Sequence, residues 1–368
     1  MISLVYVTGQ ESFNTSLRAE VVSSHRLVRK DSLVFIAVIS ALVITSPSIS
    51  TYGYFDITKV VYSQPTPDQT NSNTTSLVNM QDIPLEKVHV GDIDVAYKMF
   101  GKGDPIFLFN GASDNMDAWD PSFLTGLSSN HTVIVFDQRG IANSTVGSNP
   151  YTYQQLADDT AGLLDALKIP KADVMGYSLG GHIAQAFTIS HPEKVNSLIL
   201  VASTCGGKDG IPKPAEFLKL QADFVNKSLQ NIPITEELKA LNVAALGSGW
   251  FKLHPESVDI PANITSLQQA KPGLTPEIAE KQKNLGIWEN TNWSGACDEE
   301  AKLAKPTLVI TGTDDNNYMP HGNALILASK IPGAWLVQIK NAGHAVVDQY
   351  PEELGRIVNT FLSTIPNN

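Results

Sequence analysis

The sequence predicts an α/β protein: a mainly parallel sheet with helices packed on both faces. Three observations carry this. From about residue 85, short β-branched runs alternate with helical patterns, the order produced when each strand returns through a crossover helix. Several of these runs are wholly apolar, as strands enclosed on both faces are. A Gly-x-Ser-x-Gly pattern, Gly176-Tyr177-Ser178-Leu179-Gly180, falls directly between one such run and a helical stretch, where a sharp strand-to-helix turn is expected.

Residues 1–50 read as an N-terminal extension. Arg26, Arg29 and Lys30 precede a stretch without charge from Leu33 to Phe55. A basic flank, an apolar core and the small residues Ser48 and Ser50 have the layout of a secretory signal cleaved before Thr51. The stretch equally suits an uncleaved membrane anchor, since a bilayer is spanned by about 20 apolar residues. Either reading puts the rest of the chain outside the cytoplasm, secreted or attached to the membrane. Residues 51–84, with Pro65, Pro67 and the polar run Asn71 to Ser76, read as a flexible linker.

The core occupies residues 85–204 and 305–368. Lys87 to Val90 and Ile93 to Met99, separated by Gly91-Asp92, predict a leading hairpin. Ile106 to Phe109, Thr132 to Phe136, Asp173 to Met175, Ser197 to Ala202, Thr307 to Ile310 and Trp335 to Ile339 continue the series of strands. Tyr153 to Leu167 and Leu179 to Ile189 show apolar spacings of three and four and predict crossover helices. The alternation stops at Cys205 and resumes at Lys305. Residues 205–304 carry helical patterns near Glu216 to Leu229, Glu236 to Leu246 and Pro276 to Leu285 without a strand pair, which predicts a helical cap inserted before the last two strands.

Composition excludes several functions. A net charge of −11 and the absence of a Lys/Arg cluster argue against nucleic acid as a partner, because a phosphate backbone requires a basic patch. Cys205 and Cys297 are the only cysteines, and without a Cys-x-x-Cys pair they supply neither a metal cluster nor a thioredoxin-like motif. Two cysteines this far apart read first as free buried thiols. The alternative is a disulfide clamping the two stems of the cap.

The turn at Ser178 needs glycine two positions away on either side, because side chains there would collide, and it presents the serine at a helix N-terminus that favours negative charge. With Asp137-Gln138-Arg139-Gly140, His191-Pro192-Glu193, Gly312-Thr313-Asp314-Asp315 and Gly343-His344 in order along the chain, the sequence resembles the α/β-hydrolase family over residues 85–365. The branch it resembles contains esterases, haloperoxidase-like proteins and carbon-carbon bond hydrolases. The resemblance implies a mostly parallel eight-stranded sheet and a Ser-His-Asp site.

A neutral serine is a weak nucleophile and requires a base titrating near working pH, for which histidine is suited. His344, in the loop after the last strand, stands where the family places that base. His182 and His191 read as packing and helix-end residues. The resemblance aligns the acid three residues after Gly312, at Asp315, with the adjacent Asp314 as the alternative. The chain order Ser178, Asp315, His344 is that of the fold. Backbone N–H groups must meet the oxyanion, and Leu179 and Ala112 are the expected donors. Asn110 stands where the family usually has histidine, and Ala142 replaces a usual glycine. Asp137 and Arg139 are expected to brace loops. The sequence therefore predicts a serine hydrolase acting on an ester-like bond of a small, apolar substrate, with no metal or organic cofactor. The rivals are carbon-carbon bond hydrolysis or a haloperoxidase-like reaction on the same three residues, and a non-catalytic ligand-binding protein of this fold.

Overall fold

A computed structural model of the chain describes residues 2–6, 76–255 except 113 and 231–234, residues 277, 278 and 281, and residues 296–365. The apolar targeting segment and most of the linker lie outside the described residues. So does most of the third predicted cap helix. Among the described residues no helix is long and apolar enough to cross a membrane.

All eight expected strands are present: β2 (Glu86–Val90), β3 (Ile93–Gly101), β4 (Asp104–Phe109), β5 (His131–Phe136), β6 (Ala172–Tyr177), β7 (Val195–Val201), β8 (Thr307–Gly312) and β9 (Trp335–Ile339). A ninth, β1 (Ile2–Tyr6), lies antiparallel to β9, with Ile2 opposite Ile339 and Tyr6 opposite Trp335. The sequence reading assigned this segment to the N-terminal extension, because five residues without a flanking turn carry too little pattern to announce a strand. The sheet order is β1-β9-β8-β7-β6-β4-β5-β3-β2. The neighbours from β5 through β4, β6, β7, β8 and β9 run parallel, while β2 and β3 form an antiparallel hairpin docked antiparallel on β5.

The apolar runs follow from two cores. On β4, Phe107 and Phe109 enter one core while Ile106 and Leu108 enter the other, since successive strand side chains point to opposite faces. The first core is closed by α2 (Tyr153–Ala166), α3 (Leu179–Ser190) and α8 (Gly322–Lys330), through Leu163, Phe187 and Leu327. The second is closed by α1 (Pro121–Ser128) and α9 (Pro351–Ser363), through Phe123, Leu127, Leu354 and Phe361. Thr152 caps α2 and Asp120 caps α1, each accepting backbone N–H bonds in the first turn.

Between β7 and β8 the described residues form α4 (Ala215–Leu229), α5 (Thr235–Leu246), α6 (Ser248–Leu253) and α7 (Cys297–Glu300). Cys205 and Cys297 are joined in a disulfide, their Cα atoms 4.9 Å apart, which replaces the first reading of free thiols. The cause is local. The stems entering and leaving this segment run side by side, with the Ala296 N–H donating to the Cys205 carbonyl at 2.7 Å, so residues 92 apart in sequence meet.

Candidate active site

Ser178 sits on the turn from β6 into α3, with φ 53° and ψ −118°, a conformation that a side chain adopts only under strain. Close packing of the backbone sustains it. A Cβ at Gly176 would strike the Gly180 carbonyl, and one at Gly180 would strike the Phe109 carbonyl, so neither position admits a side chain. The Ser178 N–H donates to the Val201 carbonyl at 2.9 Å, and the Ser178 carbonyl accepts from Gly181. The hydroxyl is thereby presented at the N-terminus of α3.

His344 arrives from the loop after β9 and faces this hydroxyl, its Nε2 2.9 Å from Ser178 Oγ. Its Nδ1 is 2.7 Å from Asp315 Oδ2. Asp315 is fully buried, and its second oxygen accepts the Met319 N–H at 3.0 Å. The three side chains named from the sequence thus form one continuous relay. Asp314, the alternative acid, turns away: its Oδ2 accepts the Gly249 N–H at 2.5 Å and lies 3.4 Å from Ser248 Oγ, fastening the first turn of α6 to the core.

Two aromatic rings lie against the imidazole of His344. Tyr318 stacks on it with centroids 4.7 Å apart and planes 11° from parallel, and the ring of Tyr177 lies 5.3 Å away, tilted by 35°. Burial pushes both phenols above their ordinary range, so they stay neutral. The Tyr318 hydroxyl donates to the Leu241 carbonyl on α5 at 3.5 Å, and its ring meets Phe217 of α4 edge-on. Tyr318 was missed by sequence reasoning; its position three residues past the acid was the available signal.

Leu179 is the first residue of α3, and Ala112 lies in the turn after β4. Among the described residues neither backbone N–H has an acceptor. Asn110, where histidine is usual, is buried and knits this turn together. Its amide nitrogen donates to the Asn115 carbonyl, its Oδ1 accepts the Trp119 indole N–H at 2.5 Å, and its carbonyl accepts from Gln138 at 3.0 Å. The departure from histidine is absorbed by side-chain amide bonds.

Asp137 and Arg139 brace the surroundings. Asp137 accepts the Met116 N–H at 2.8 Å and the Asn143 N–H at 2.9 Å. Arg139 forks onto Asp159 at 2.7 and 2.6 Å and reaches Asp92 at 2.7 Å. Ala142, in place of glycine, takes φ 41°, so the left-handed backbone is kept despite the side chain. His191 ends α3 and holds Asp158 at 2.8 Å. His182 is buried one turn beyond Ser178, 3.3 Å from the Tyr153 hydroxyl, and burial followed by the charge of Lys213 depresses its pKa to about 3. Lys213 is itself buried, which lowers its pKa to about 8 against the opposing pull of Asp315.

This sheet and this site define a hydrolase of the α/β type. The chain belongs to the alpha/beta hydrolase fold family, whose profile matches residues 104–351. It is 29% identical to the poly(3-hydroxyalkanoate) depolymerase of Ectopseudomonas oleovorans over 262 residues, covering 70% of this chain and 84% of that one. It is 26% identical to the pimeloyl-[acyl-carrier protein] methyl ester esterase of Aeromonas hydrophila over 271 residues, 73% of this chain and all of the other. The meta-cleavage product hydrolase of Pseudomonas fluorescens superposes with a TM-score of 0.63 at 20% identity, covering 77% of this chain and 99% of that one; at that identity the likeness is one of fold.

Proposed function

We propose that the protein is a serine hydrolase that cleaves an ester-like bond of a small, mainly apolar molecule. The observation that carries the reading is the relay Ser178 Oγ to His344 Nε2 at 2.9 Å and His344 Nδ1 to Asp315 Oδ2 at 2.7 Å. In the first step His344 removes the Ser178 proton as the oxygen attacks the carbonyl carbon. Asp315 fixes the imidazole tautomer and stabilises the imidazolium, while the N–H groups of Leu179 and Ala112 receive the oxyanion. The imidazolium returns its proton to the departing alcohol, leaving an acyl group on Ser178. Water deprotonated by His344 then attacks the acyl carbon and frees the acid and the serine.

The apolar character of the substrate is supported by Tyr318, stacked on His344, and by Phe217, packed edge-on against Tyr318. The likeness to the methyl ester esterase of Aeromonas hydrophila supports an ester substrate. The test is turnover of p-nitrophenyl butyrate. Wild type hydrolyses it and Ser178→Ala, with unchanged circular dichroism, does not; retained turnover in the variant refutes the assignment. We further propose that the enzyme acts outside the cytoplasm, secreted or anchored, on the strength of Arg26, Arg29, Lys30 and the apolar run that follows. Recovery of the full-length chain in the cytoplasmic fraction of its own cells contradicts this.

A further inference from the structure

The turn that carries Ala112 also carries a carboxyl group for which the reaction above has no use. Asp114 closes this turn, its N–H donating to the Gly111 carbonyl at 3.4 Å. Its side chain folds back over the glycine. A Cβ placed on Gly111 would lie 3.0 Å from Asp114 Oδ2 and 3.2 Å from the ring of Tyr177, the residue immediately before Ser178. Asp114 is half-buried, and its carboxyl accepts no hydrogen bond from any described residue. The other groups that share its electrostatic surroundings are His344, Tyr177, Tyr318 and Asp348. Two of these are neutral phenols and one is a further carboxyl, so among the described residues His344 alone supplies an opposite charge, and only when protonated.

An ionised carboxyl beside an oxyanion site opposes the charge that develops there, unless something else occupies its lone pairs. A carboxylate offers about four acceptor positions, and leaving them unmet in a partly dehydrated site costs free energy. We propose that Asp114 forms a polar subsite beside the oxyanion turn, which takes a hydrogen-bond donor, a hydroxyl or an ammonium, borne by the substrate a few atoms from the scissile carbonyl. The proposal rests on the ester-hydrolase reading and narrows its substrate class. Burial raises the Asp114 pKa to about 6, with His344 pulling the other way, so the acceptor form prevails at pH 8. Sites built around a buried polar group discriminate against analogues that lack its partner far more strongly than apolar pockets discriminate by size.

Three matched substrates test this at pH 8: ethyl butyrate, ethyl 3-hydroxybutyrate and ethyl 3-aminobutyrate, followed by acid release. The expected result is a kcat/KM for at least one donor-bearing ester about tenfold or more above that for ethyl butyrate. The better of the two donor esters identifies the hydroxyl or the ammonium as the group recognised. In Asp114→Leu the ratio of donor ester to ethyl butyrate falls to near unity. Asp114→Asn keeps the shape and an acceptor oxygen but loses the charge; it abolishes an ammonium preference and weakens a hydroxyl preference. Labelling of both variants by a fluorophosphonate reports that the Ser178 turn is assembled. If the wild type hydrolyses all three esters equally, or if both variants keep the wild-type ratio, the subsite is refuted while the hydrolase reading stands. If the wild type hydrolyses none of the three or p-nitrophenyl butyrate, the ester reading itself falls.

Discussion

Glu300 provides a quantitative test of how the helical segment between β7 and β8 is seated on the core. It ends α7, three residues after the disulfide at Cys297, and is fully buried, with neither carboxyl oxygen hydrogen-bonded among the described residues. Burial alone raises its pKa from 4.5 to about 8. The sign follows directly. Below pH 4.5 both folded and unfolded chains hold the proton, and between 4.5 and 8 only the folded chain does. Stability is therefore lost across that window as pH rises, at about 1.4 kcal/mol per pH unit, and no further above it. Glu300→Gln removes the titration. Its advantage over wild type should be small at pH 5 and grow to an upper value of about 5 kcal/mol by pH 8, the product of that slope and the window. Compactness in the unfolded state and local opening around α7 would reduce it. Urea unfolding of both proteins at pH 5, 6, 7 and 8 measures the difference. A difference that stays constant over this range would show that Glu300 is already ionised or paired in the folded chain, and the seating of α7 described here would be wrong.

Other predictions concern the site and its surroundings. Asp315→Ala should lower kcat on p-nitrophenyl butyrate by about three to four orders of magnitude, because the imidazole loses its orienting partner. Asp314→Ala should act mainly on KM, because that residue fastens α6; equal losses of kcat in the two variants would overturn the distinction. Replacing Cys205 and Cys297 together by serine should cost about 4–5 kcal/mol, the value expected for a closed loop of this length, seen as a lower melting temperature. An unchanged melting temperature would mean that the stems hold together without the bridge.

Much of the fold was legible because an enclosed parallel sheet writes itself as apolar runs. Ile106 to Phe109 had to be a buried strand, since no other element places four successive large apolar residues in two separate cores. Ser178, with its flanking glycines, was legible because the turn excludes side chains at Gly176 and Gly180. Asp315 and Asp314 could not be separated by pattern. They differ only in which side of the chain faces inward, and α6, with which Asp314 pairs, lies more than sixty residues away in sequence. The stacking of Tyr318 on His344, the carboxyl of Asp114 over Gly111 and the pairing of Cys205 with Cys297 depend on the approach of segments remote in sequence, which periodicity does not encode. Ile2–Tyr6 joined the sheet through an edge pairing with β9, a contact that needs no distinctive pattern in the segment itself.

The account depends on Ser178 being activated by the imidazole 2.9 Å away. The most direct measurement is reaction of the native protein with a fluorophosphonate, followed by peptide mass analysis. The arrangement predicts one adduct per chain, on the peptide containing Ser178, and its loss in His344→Ala. Label on another residue, or none on a folded protein, would contradict it.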